Sequence, residues 1–180
     1  MPFSLEQRGF DEQDHRLQRI TNGLDHPDSL LSRLATDLAH LWQDNIDAGP
    51  NERWEAGPSY RARALGGVTL VDRGLMKASI VGRQTGPFEL SVGSDLTVGN
   101  GWNLLSIHEF GADVKAQTAP WLTFRYPLGA FPDDGWARKK QICIPRRPTA
   151  PFDWDTQQLT PDAAALVQSD INDYLAELRQ

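Results

Sequence analysis

From residue 30 onward apolar side chains recur at three- and four-residue steps. Leu30, Leu31, Leu34, Leu38, Leu41, Trp42 and Ile46 share one helical stripe, while Arg33, Asp37 and Gln43 lie off it. The spacing predicts an amphipathic helix, capped by Asp28 or Ser29 and stopped by Gly49-Pro50. A shorter polar helix is expected over 11–22, where Asp11 can cap, Leu17 and Ile20 are spaced to face inward, and Gly23 marks the end. From 78 to 145 the period changes to two. ASIVGRQ and FELSVGS flank Thr85-Gly86-Pro87 and predict a hairpin. A third strand is expected in WLTFRYP, where Trp121, Thr123 and Arg125 alternate with Leu122, Phe124 and Tyr126. A fourth falls in RKKQICI, reached through a turn at Asp134-Gly135.

Between the hairpin and the third strand, Trp102, Leu104, Leu105, Ile107 and Phe110 predict a short helix closed by Gly111. Thr160, Pro161 and Asp162 open a last helix, as cap, first-turn proline and an acid that complements the dipole. Val167, Ile171, Tyr174, Leu175 and Leu178 form its apolar face. The expected fold is one α+β domain over 1–180, with N-terminal helices, an antiparallel sheet of about four strands and a long C-terminal helix. Residues 49–67 show no period and are rich in Gly, Pro and charge. A loop of that length in a compact domain is either an interaction arm or a surface loop pinned by its aromatics. Trp54 and Tyr60, set among Arg53, Arg61 and Arg63, are residue types that often anchor interfaces.

Composition changes this picture little. At 180 residues the chain is long enough for a real core, and 39% hydrophobic with 23% charged residues is ordinary globular usage. A net charge of −6 and a pI near 5.1 argue against a dedicated nucleic-acid binder, though not against a local basic surface. The lone Cys143 makes no internal disulfide and is expected to be a small buried strand residue. No apolar run is long enough to span a membrane, and the N-terminus does not read as a signal peptide, so synthesis in a reducing cytoplasm is expected.

Candidate chemistry centres on His108-Glu109 in IHEFGA. A zinc protease needs a second histidine one helical turn after the first, and Ala112 stands there instead. His15, His26 and His40 have no partner at metal-ligand spacing. No Gly-x-Ser-x-Gly frame surrounds Ser94, and ALGGVTL lacks the residues that hold phosphate and magnesium. Asp133-Asp134 reads as a solvated turn pair rather than a glycosidase site. No catalytic residue, cofactor or metal is therefore expected. A small hydrolase using His108 and Glu109 is the competing reading. In IPRRPTAPF, Pro145 and Pro148 hold Arg146 and Arg147 on a rigid segment, which favours defined salt bridges or an interface.

Three stretches taken in order carry a resemblance. The first is Asp72, Arg73, Gly74 and Leu75 followed by Ser79 and Ile80; the second is Ile107, His108, Phe110 and Gly111; the third is Ile144, Pro145, Arg147 and Pro148. Together with the helices around them they resemble the phage virion morphogenesis family of tail-completion proteins, over roughly residues 28–178. Arg73 replaces the family's usual Thr, its Tyr-Ala upstream of Ile107 is absent, and Arg146 and Thr149 replace its Ala and Phe. The resemblance implies a structural virion protein that completes the tail and takes part in head–tail joining. It further implies a six- or twelve-fold ring of copies touching neck, connector, tail-terminator or tail-tube proteins, made in the host cytoplasm and ending in the neck or tail. No membrane partner is implied, and nucleic acid enters only as DNA passing through the lumen. A tail terminator is one alternative; another is a portal-proximal adaptor contacting DNA through Arg138, Lys139, Lys140, Arg146 and Arg147. Trp54, Tyr60, Arg61, Arg63, His108, Glu109, Arg146 and Arg147 are the expected interface residues.

Overall fold

The structure, a computed structural model, describes residues 10–49, 74–97, 101–125 and 136–180. Two N-terminal helices, α1 (Phe10–Asp25) and α2 (Asp28–Ala48), lead through a short α3 (Leu75–Ala78) into the hairpin β1 (Ile80–Gly86) and β2 (Glu89–Ser94). After α4 (Leu104–Phe110) come β3 (Ala112–Lys115), β4 (Leu122–Arg125), β5 (Trp136–Lys139) and β6 (Gln141–Ile144). The small pair β7 (Phe152–Asp153) and β8 (Gln158–Leu159) precedes the long C-terminal helix α5 (Pro161–Leu178). The fold is α+β, with N-terminal helices, antiparallel strands and a long final helix.

The stripe on α2 does what its spacing predicts. Leu34, Ala35, Leu38, Ala39, Trp42 and Ile46 are buried. Ala39, Trp42 and Ile46 meet Met76, Ile80, Leu105 and Ala150 in the main cluster, with Val92, Leu96 and Leu104 at its margin. Each large side chain fully buried there stabilises by about 1.5–3 kcal/mol. The helix lies so close on the hairpin that a Cβ at Gly82 would stand 1.8 Å from the carbonyl oxygen of Ala35. Gln43 Nε2 fastens the same contact by donating to the carbonyl of Ile80 at 3.0 Å.

The caps differ from expectation. Pro27 occupies the N-cap of α2, no side chain caps it, and the carbonyl of Pro27 takes the N–H of Leu31 at 2.9 Å. Asp28 instead accepts from Gln84 Nε2 at 2.6 Å. Thr160 does cap α5, accepting from the N–H of Ala163 at 3.4 Å, and Pro161 opens the first turn. Asn103 caps α4 by accepting from Ser106 N–H at 3.0 Å.

On α1 the inward assignment of Leu17 is overturned, because that side chain is 62% exposed. The helix runs past Gly23 and meets α5 near that glycine. Tyr174 Oη donates to the carbonyl of Gly23 at 2.7 Å, and Leu178 fills the space a Cβ would take.

Among the described residues the strands form four two-stranded pieces rather than one sheet. The hairpin turn falls at Pro87-Phe88, with an irregularity between Gln84 and Gly86. The expected fourth strand divides at Lys140. Its first half pairs with β4 and its second half with β3, which the alternation did not reveal. The two pairings make a ribbon interrupted at 116–121, where Ala116 N–H donates to the carbonyl of Lys140. Cys143 lies exposed on this ribbon, opposite Asp113, because Ile142 and Ile144 take the inward positions. The loop over 49–67 lies outside the described residues apart from Gly49, as does the turn at Asp134-Gly135.

Candidate functional site

The short α4 carries the His-Glu pair, and its end decides where that pair points. Gly111 follows with φ +74°, a conformation that favours glycine, and a Cβ there would stand 2.9 Å from the carbonyl oxygen of Ile144. The last turn of α4 is thereby pressed against the segment leaving β6. Arg147 N–H donates to the carbonyl of His108 at 2.7 Å and extends that contact beyond the strand.

Glu109 points inward and is 2% exposed. Its carboxylate accepts the backbone N–H of Thr149 at 2.8 Å, the Thr149 hydroxyl at 3.3 Å and the N–H of Ala150 at 3.2 Å. Thr149 is itself a hub. Its Oγ1 accepts from Trp42 Nε1 at 3.0 Å, and its carbonyl accepts from Asn45 Nδ2 at 2.9 Å. One carboxylate and one threonine thus tie α4, the 147–150 segment and α2 into a single buried network. Buried polar groups are tolerated when satisfied in this way.

His108 is half-buried beside Arg147, with Nδ1 of the imidazole 3.0 Å from a terminal guanidinium nitrogen. Arginine can only donate, so Nδ1 accepts and the ring proton sits on Nε2. Burial first, and then the charge of Arg147, lower the His108 pKa to about 4. The imidazole is neutral at pH 7, with its one lone pair occupied. Arg147 is buried as well, with Nε unpartnered, and desolvation lowers its pKa.

A general base needs a lone pair within reach of a substrate proton. In this arrangement the carboxylate of Glu109 is turned into the core and the basic nitrogen of His108 faces an arginine. Among the described residues no group of three or more His, Cys, Asp or Glu side chains could hold a metal ion, and no helix is long and apolar enough to cross a membrane.

The outer flank of the network is exposed. Phe110 and Trp154 meet with their rings tilted by 57° and 5.4 Å between centroids, and Phe152 meets Trp154 edge-on at 5.1 Å. Arg146 Nη1 pairs with Asp155 at 2.8 Å. The two adjacent arginines therefore have opposite placements, Arg146 outside in an ion pair and Arg147 inside against an imidazole. Of the five cations considered for DNA contact, these two are engaged within the chain. Trp54, Tyr60, Arg61 and Arg63 lie outside the described residues.

Sequence reasoning missed Thr149, Asn45 and Asp155. A threonine after a proline and an asparagine on a helix carry no local signal of a shared partner more than a hundred residues away in sequence. No protein-family model, curated protein or solved structure matches this chain.

Proposed function

We propose that this chain is a non-enzymatic structural protein of a phage particle, which completes the tail and helps join it to the head as a subunit of a ring. The observation that carries the reading is the union of two of the three family-like stretches into one physical unit. Ile107-His108-x-Phe110-Gly111 and Ile144-Pro145-x-Arg147-Pro148 lie far apart in sequence. They meet through the Arg147–His108 contacts, and through Gly111 against Ile144. The remaining stretch also has a defined role. Gly74 opens α3 with φ +69°, Ser79 Oγ donates to the carbonyl of Met76, and Ile80 is buried in the main cluster. Asp72 and Arg73 lie outside the described residues, and Gly74, Ser79 and Ile80 help to hold the fold together.

The surface is consistent with a contact-making part. Exposed Phe110 and Trp154 flank the network, and aromatics of this kind are common anchors in interfaces. The spent lone pairs of His108 and Glu109 leave the competing hydrolase without an evident base.

Inactivating the gene in a phage that carries it tests the reading. Filled heads and finished tails that accumulate apart, and that join when the protein is supplied in trans, are expected. Normal joining in the absence of the protein rejects the proposal.

A further inference from the structure

The chain is acidic overall, yet its long ribbon is basic. Strands β3 to β6 with Lys140 hold Lys115, Arg125, Arg138, Lys139 and Lys140 against the single acid Asp113. Lys115, Arg138, Lys139 and Lys140 are exposed, and none forms an ion pair among the described residues. Lys140 lies over the ring of Trp121 at 5.3 Å, and Trp121 remains 44% exposed. An exposed aromatic ring beside cations that make no ion pair among the described residues suits a partner that offers carboxylates.

The same chain carries such a surface. Between α2 and α5, the carboxylates of Glu177, Asp170 and Asp173 raise the pKa of the Arg33 guanidinium, and Asp37 faces Asp170. Arg33 Nη1 bonds Glu177 at 3.0 Å and Nη2 bonds the carbonyl of Asp170 at 3.3 Å. Asp170 is about nine-tenths buried, and its Oδ2 has no hydrogen-bond partner. Among the described residues these four carboxylates share one guanidinium, whose Nε is likewise without a hydrogen-bond partner, and they do not converge as metal ligands.

We infer that copies of this chain associate head to tail, the cationic ribbon around Lys139 and Trp121 of one copy seated on the acidic α2–α5 face of the next. Two different surfaces that meet in this way generate a ring when the rotation between neighbours closes. The inference rests on the ring reading above only for closure. A nucleic acid would satisfy the cations, but it would leave the acidic face without a counterpart.

Sedimentation of the purified full chain at low and high salt tests this. Wild type is compared with Lys139→Glu, Asp173→Lys and the chain carrying both changes. Both positions are exposed, so folding is unaffected. Wild type should associate at low salt and come apart as salt screens the charges. Each single reversal should weaken association about tenfold, and combining them in one chain, or mixing the two single variants, should restore it. A wild type that stays monomeric at low salt overturns the inference, as does an association that ignores both reversals. In the latter case the ring reading still stands or falls on the joining defect. Duplex DNA binding by the monomer that Lys139→Glu abolishes would assign the ribbon to nucleic acid and also overturn it.

Discussion

The carboxylate of Glu109 accepts the backbone N–H of Thr149, forty positions further along the chain, at 2.8 Å. That contact converts a sequence feature resembling half of an acid–base pair into a tie between a helix and a proline-stiffened strand exit. Two more donors, the Thr149 hydroxyl and the Ala150 N–H, converge on the same group.

Replacing Glu109 therefore removes acceptors from donors that water cannot reach. Glu109→Ala is expected to cost about 3 kcal/mol or more, and Glu109→Gln less, because one amide oxygen still accepts. Urea unfolding of both variants measures this. A loss under about 0.5 kcal/mol for the alanine variant would show that the network is dispensable.

At Gly82 the hairpin backbone comes directly against the backbone of α2. A Cβ there overlaps the backbone oxygen of Ala35, which has no flexible end to move aside. Gly82→Ala should destabilise by at least ~3 kcal/mol, a size reserved for changes that force elements apart. Gly93→Ala is the control, since nothing lies within 4 Å of its added Cβ. Thermal unfolding should separate the two clearly.

His108 predicts an acid-sensitive step. Its folded pKa lies near 4, below the unfolded imidazole value of about 6.5. Between those values the unfolded chain binds a proton that the native state refuses. Stability then rises with pH across the window and is lost on acidification from about pH 6.5 toward 4. His108→Gln should flatten this part of the stability profile. An imidazole resonance that titrates near 6.5 in the folded protein would contradict it.

Asp170 predicts the opposite slope. Burial first, and then the Asp37 carboxylate, raise its pKa in the folded state. The native state binds the proton more tightly, so this group's contribution is fully present below about pH 3.9 and is lost as pH rises through the folded value. Asp170→Asn removes that loss. The variant should gain on wild type as pH climbs above about 4, with a higher unfolding temperature at pH 7. Equal pH profiles for the two proteins would show that the carboxylate is not strained.

Local pattern alone determined much of this protein. The periodicity of Leu34, Leu38, Trp42 and Ile46 specifies a helix with one buried face, because a 3.6-residue repeat leaves no other way to bury them. Thr160-Pro161 sets the start of α5, and Gly111 sets the end of α4, since capping and left-handed geometry depend only on near neighbours. What sequence could not decide were choices between partners. The run RKKQICI reads as one strand, but it divides at Lys140 because β4 and β3 take separate halves of it. Leu17 fits an inward stripe, yet it lies exposed on a helix that meets α5 near Gly23, six residues further on. Arg146 and Arg147 are alike in sequence, and only the packing of α4 against the strand exit turns one outward to Asp155 and the other inward to His108. Glu109 holds the same lesson. Spacing reports which residues share a face, whereas burial and hydrogen-bond partners come from segments distant in the chain, whose approach no local period records.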